Sequence, residues 1–206
     1  WGTSGDSLPE CVRIRMAEGT LAIHCATVPM PHVFELSPSG RAACRGCGVK
    51  IPKGELRFGE RLPNPFAEGE GEMTHWFHLV CAAYRRPEAF LETLAAATDP
   101  IAGADHLRDQ AQLGVTHRRL PRVSTAGRAS SGRATCRACK ELIAKDTWRI
   151  ALVFYDDGRF VPSGYIHAGC VQSYIETTDI TERVRHFSPA LTDADLEELR
   201  AACGTG

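Results

Sequence analysis

One ligand arrangement occurs twice in this chain of 206 residues. Ser39-Gly40-Arg41-Ala42-Ala43-Cys44-Arg45-Gly46-Cys47 returns as Ser131-Gly132-Arg133-Ala134-Thr135-Cys136-Arg137-Ala138-Cys139. Each copy is completed downstream by His-x-x-Cys, His78 with Cys81 and His167 with Cys170. Thiolate and imidazole donors at these spacings close the four positions of a tetrahedral structural zinc ion, and no position stays open for a catalytic water. The ligand sets are Cys44, Cys47, His78 and Cys81, then Cys136, Cys139, His167 and Cys170, for two structural Zn2+ ions. A redox reading of each Cys-x-x-Cys does not account for the His-x-x-Cys that answers it.

A metal-built fold suits the length. Two units of this size have thin cores and need a staple. Structural zinc supplies roughly 10–16 kcal/mol of apparent binding energy to a site that the unfolded chain lacks. Apolar residues make up 43% of the chain, as in folded proteins. The odd total of nine cysteines, six of them at metal spacing, argues against a secreted disulfide scaffold and for a reducing, intracellular setting. No run of eighteen apolar residues suggests a membrane span. Net charge is −1, yet basic residues crowd between Arg108 and Arg149 while acid gathers at Glu68, Glu70 and Glu72 and in the tail. Such a stretch is either an electrostatic footprint or a solvated face.

The expected fold class is α+β: two small zinc-stabilised modules, each a small antiparallel sheet with flanking helices, after an N-terminal β-hairpin. Residues 1–35 hold the hairpin, because Val12, Ile14 and Met16, then Leu21, Ile23 and Cys25, alternate around Glu18-Gly19. Cys11, Cys25, His24 and His32 fit no paired-ligand spacing. The first module spans 36–98. Within it a strand begins at Leu56, Pro63 to Met73 is a loop, Leu79 to Arg86 is helical, and Pro87 restarts a helix. A linker covers 99–127, with room for a short helix over Ala104 to Leu113. The second module spans 128–206. It holds a strand from Thr147 to Tyr155, an Asp156-Asp157-Gly158 turn, a helix after Cys170, and a tail helix capped by Thr192 and Asp195 with Leu196 and Leu199 on one face.

Ser-Gly-Arg-x-x-Cys-x-x-Cys, then Ile51-Pro52-Lys53-Gly54 with Leu56-Arg57, then His75-Trp76-Phe77-His78 and Cys81, resembles the poly(ADP-ribose) polymerase-type zinc finger. The second copy is similar over Ser131 to Cys139, Trp148-Arg149 and His167 to Cys170. It departs where Tyr165-Ile166 stand in place of Trp-Phe, and its intervening loop is shorter. The resemblance implies binding to DNA nicks, gaps and ends by structure rather than sequence, in DNA repair or damage sensing. It also implies a DNA-associated location, the nucleus in a eukaryote or the nucleoid in a bacterium. By position it gives Arg41 and Arg57 the backbone grip of the first finger and Arg133 and Arg149 that of the second. Phe66, Met73 and Phe160 become candidates to stack on an exposed base pair. Trp76 and Trp148 read as core.

Stacking on a terminal base pair is worth about 1–3 kcal/mol per base and needs no sequence, whereas arginines on phosphates position without reading bases. The alternative reading is a zinc-stabilised protein-interaction module that recruits a repair enzyme. No catalytic motif stands in the sequence, so an enzyme would lie outside this chain, and no small-molecule substrate is expected.

Overall fold

A computed structural model describes residues 12–15, 21–24, 31–64 and 71–204. Val12–Arg15 (β1) pairs antiparallel with Leu21–His24 (β2), Val12 opposite His24 and Arg15 opposite Leu21. This hairpin belongs to a unit spanning Trp1–Pro31; a second unit spans His32–Gly206. Cys11 and Cys25 lie outside the described residues.

The second unit contains two three-stranded antiparallel sheets, which gives the expected α+β class. Val33–Leu36 (β3), Leu56–Pro63 (β4) and Glu72–His78 (β5) form the first, in that order. Alternate positions face inward, so Phe58 and Phe77 meet in register and are both fully buried. Phe34 and Phe90 close around Phe58 at ring separations of 5.8 and 5.9 Å. Leu79–Arg85 (α1) ends where Pro87, with no N–H to give, opens Pro87–Ala96 (α2). Ala104–Thr116 (α3) lays Leu107 and Ala111, one turn apart, on the same core.

Val123–Arg128 (β6), Trp148–Asp156 (β7) and Arg159–His167 (β8) form the second sheet. Ile150, Leu152 and Ile166 make its buried face. Against it pack Val171–Ile175 (α4), Thr181–Phe187 (α5) and Asp193–Cys203 (α6). The α6 capping box forms as its residues imply, the Thr192 hydroxyl accepting from the Asp195 N–H while the Asp195 carboxylate accepts from the Thr192 N–H.

Two expected boundaries move. β3 straddles residue 35, because Val33 to Leu36 pair with β4 and complete the first sheet. The stretch 99–127 is not a free connection: α3 belongs to the first core and β6 to the second sheet. Polar residues in β6 hide it, since only Val123 is fully buried.

The two cores are also clasped together. Arg85 of α1 donates to the carbonyls of Pro121 and Val123, both at 2.8 Å. Arg183 of α5 is 1% exposed and donates to the carbonyls of Tyr84 at 2.8 Å and Gln110 at 2.6 Å. Burial without a carboxylate partner pulls both guanidinium groups down to about 10, so both stay charged at neutral pH. The tip of the β7–β8 hairpin, where Asp157 and Gly158 both have positive φ, reaches the first sheet: the Tyr155 hydroxyl lies 3.0 Å from His75 Nδ1.

Candidate metal centres

Each cluster is assembled from one turn and one strand–helix junction. In the first, Cys44 and Cys47 sit on a turn closed by Gly48 N–H to the Cys44 carbonyl at 2.8 Å. That turn is fixed to β5 by Arg45 N–H to the Trp76 carbonyl at 2.8 Å. His78 ends β5 in extended conformation (φ −61°, ψ 151°), and Cys81 follows on the first turn of α1. In the second, Lys140 N–H bonds the Cys136 carbonyl at 3.0 Å and Arg137 N–H bonds the Tyr165 carbonyl at 2.8 Å. His167 has φ −60° and ψ 150°. The backbone solution is thus the same at both sites, although the second helix begins with a 3-10 turn at Ala168–Cys170.

The ligand atoms of each set lie within 4.8 Å of one another. His78 turns Nδ1 toward Cys47 at 3.5 Å and Cys81 at 3.9 Å. His167 does the same toward Cys139 at 3.4 Å and Cys170 at 3.8 Å. A zinc tetrahedron with Zn–S of about 2.3 Å and Zn–N of about 2.0 Å has S···N edges of about 3.5 Å, so both clusters fit the ion. Two structural zinc sites follow, with all four positions of each supplied by the protein.

Crowding sets the thiols of each cluster against one another for protons. Hydrogen bonds from Cys44 and Cys81 hold the Cys47 thiol far below its ordinary range. Those two thiols are pushed up in turn, Cys44 by its bond with Cys47 and Cys81 by its bonds with Cys44 and Cys47. At the second site burial opposes ionisation of Cys136, yet backbone N–H groups of His167, Cys139 and Ala138 lower it to about 6. Burial and the Cys136 charge raise Cys170 to about 12. A divalent cation relieves this competition by taking the place of the protons.

Second partners hold the ligands. The His78 and His167 N–H groups approach Cys44 and Cys136 sulfurs at 3.4 Å each. The other ring nitrogen of His167 lies 3.3 Å from the Leu142 carbonyl. His186 of α5 places Nε2 3.0 Å from Cys81 Sγ. The sequence carries no local sign of His186, because it arrives from 105 positions away.

The residues expected on the DNA face fall into different environments. Arg41 and Arg133 are exposed at matching positions. Arg57 and Arg149 also match, each opposite its ligand histidine across the sheet. Arg57, however, is only 6% exposed: it pairs with Glu35 at 2.5 Å and lies 3.5 Å over the Trp76 ring. Arg149 is half-buried, 3.9 Å over Tyr165. Met73 is half-buried on β5 opposite Leu62. Phe66, Glu68 and Glu70 lie outside the described residues. Phe160 packs against the first core, its ring tilted against Tyr155 with centroids 4.9 Å apart, so it contributes to the contact between the sheets. Trp148 is buried and Trp76 partly so, both as core. In the basic stretch, Arg108 pairs with Asp105, Arg128 with Glu198 and Lys145 with Asp146.

No helix among the described residues is long and apolar enough to cross a membrane. Residues 35–118 match the family model "Poly(ADP-ribose) polymerase and DNA-Ligase Zn-finger region". The chain is 27% identical over 143 residues to a poly(ADP-ribose) polymerase of Drosophila melanogaster, covering 63% of this chain and 14% of that protein. It is 26% identical over 157 residues to poly(ADP-ribose) polymerase 1 of Oryza sativa subsp. japonica, covering 70% and 15%. With poly(ADP-ribose) polymerase 1 of Gallus gallus it shares 29% over 142 residues, covering 59% and 13%. The chain therefore spans about a seventh of the length of these relatives. Matched ligands, sheet and helices together make residues 35–118 one zinc finger of the poly(ADP-ribose) polymerase type.

Proposed function

We propose that this chain is a zinc-dependent DNA-binding module that recognises strand breaks or ends by their structure, in DNA repair or damage sensing. The match of residues 35–118 to the zinc-finger region of poly(ADP-ribose) polymerase and DNA ligase carries the reading. The second cluster, with its repeated hydrogen bonds and its Arg149 opposite His167, is read as a second finger of the same type. Arg41, Arg133 and Arg149 grip phosphates. Arg57, buried on Trp76, orients that surface from beneath. Stacking on the exposed base pair falls to Phe66 and Met73. Any catalytic activity belongs to polypeptide outside this stretch, and the location is DNA-associated.

Titration of closed, nicked, gapped and blunt-ended duplexes of one sequence, with zinc and after chelation, tests the reading. Nicked or ended DNA should bind more tightly than closed duplex, and chelation should abolish the difference. With four to six phosphates contacted, the log–log salt slope should be about −4 to −5. Equal binding to closed and broken duplex sinks the proposal. The second reading, a protein-interaction module that recruits a repair enzyme, is favoured by one feature. A cavity of about 500 Å3 beside the first cluster is lined by Val49, Leu56, Leu79 and Val80, with Val49 62% exposed. A flat salt response would favour it.

A further inference from the structure

A second cavity, of about 560 Å3, lies between the first zinc turn and the start of β8. The first module lines it with Arg45, Thr74 and Trp76, and the second with Arg159 and Phe160. It therefore exists only because the β7–β8 hairpin docks on the first sheet. No acidic side chain lines it. Among the described residues, neither Arg45 nor Arg159 has an ion-pair partner, whereas Arg57 and Arg86 close by are each paired with a glutamate. The Arg45 charge is felt nearby, helping to depress His75.

The size and the lining select a ligand. The volume suits one nucleotide and is too small for a stretch of duplex. Two unpaired guanidinium groups suit a phosphate. The parts of Trp76 and Phe160 that line the cavity add apolar ring surface against which a base can lie without regard to sequence. The corresponding cavity on the second module makes a useful contrast. It holds Arg137 and Lys140 with Pro162, Ser163 and Gly164 but no aromatic ring, and Arg137 is engaged by the Ser163 carbonyl at 2.8 Å.

We propose that the cavity between the modules takes a single unpaired nucleotide at a broken strand end, its base against Trp76 and Phe160 and its phosphate between Arg45 and Arg159. This rests on the DNA-end reading and adds to it a preference for ends that carry an unpaired nucleotide.

The test uses the full chain with both zinc ions. Four duplexes of one sequence are titrated by fluorescence anisotropy: closed by loops, blunt, and with a one-nucleotide 5′ overhang with or without a 5′-phosphate. The phosphorylated overhang should bind about five- to a hundredfold more tightly than the blunt end, the range expected for one stacked base. Arg159→Ala and Arg45→Ala should each erase that preference and reduce the salt slope by about 1. Both positions lie on exposed surface, so melting temperature should hold. Arg41→Ala should weaken all ended duplexes alike. Retained overhang preference in both variants overturns the pocket while leaving the DNA-end reading intact. If ended and closed duplexes bind equally, the DNA-end reading fails instead. A free 5′-mononucleotide then decides the pocket: it should shift the Trp76 indole N–H resonance in wild type but not in Arg159→Ala. No shift overturns it. Competition by that mononucleotide at millimolar concentration separates a pocket for free nucleotide from one for a strand end.

Discussion

Arg57 and Arg41 look interchangeable as basic residues, yet their surroundings give them different tasks. Arg57 has an acid on one side and an indole beneath it, while its Nε finds no partner among the described residues. Arg57→Ala removes an ion pair and a cation–π contact from a nearly closed site, which should destabilise the fold by about 1–3 kcal/mol. Arg41→Ala should stay within about 0.5 kcal/mol. Denaturant midpoints at constant m separate the two, and equal values would show that burial does not govern Arg57. His75, 4% exposed, supplies a pH test. Burial, then the Arg45 charge, lowers it below its ordinary 6.5. The unfolded chain then binds the proton first, so stability is complete above about pH 6.5 and declines as pH falls toward the folded value. His75→Gln should flatten the stability slope between pH 7.5 and 6 relative to wild type. An unchanged slope would remove His75 from the acid response.

The β7–β8 hairpin shows what a short element can decide. Its turn needs positive φ at two successive residues, 43° at Asp157 and 77° at Gly158. A Cβ added at Gly158 would also collide with the His75 ring. Gly158→Ala should therefore cost about 2–4 kcal/mol, from left-handed strain and from overpacking. A thermal melt would register it, and a neutral result would mean that the tip does not dock. How legible each element was follows from where its information sits. β7 and the capped α6 carry alternation, i,i+3 spacing and a capping box in their own residues, so sequence places them within a residue or two. The eight ligands are equally local, since motif spacing brings each set together. β6, α5 and His186 were not legible, because partners far along the chain define them. The same holds for the ion pair that hides Arg57 and for the docking of Phe160. Arg57 and Phe160 stand as candidates for DNA contact until the neighbouring sheet is in place.

At the scale of the molecule, the second unit has two metal sites but one continuous set of supports. Arg183 bridges α1, α3 and α5 through two main-chain carbonyls. Arg183→Ala would leave both without that donor and open a void, for a loss of about 3–5 kcal/mol that the zinc ions cannot prevent. Metal analysis should return two zinc ions per chain, and Cys139→Ala should return one. Because the cores share the Arg85 and Arg183 contacts, Cys139→Ala should also lower the melting temperature of the module that keeps its zinc. An unshifted first-module melt would mean that the sites fold independently. The docked hairpin tip bears on portability. A finger that hangs on a flexible string can be cut out and fused elsewhere, and the match ending at residue 118 would suggest cutting there. Here that cut removes Phe160 and Phe187 from the first core and strips the lid from Arg85. The inherited repeat and the working part have different edges, and a transplant that respects the former would carry away an open wound where the second sheet had been.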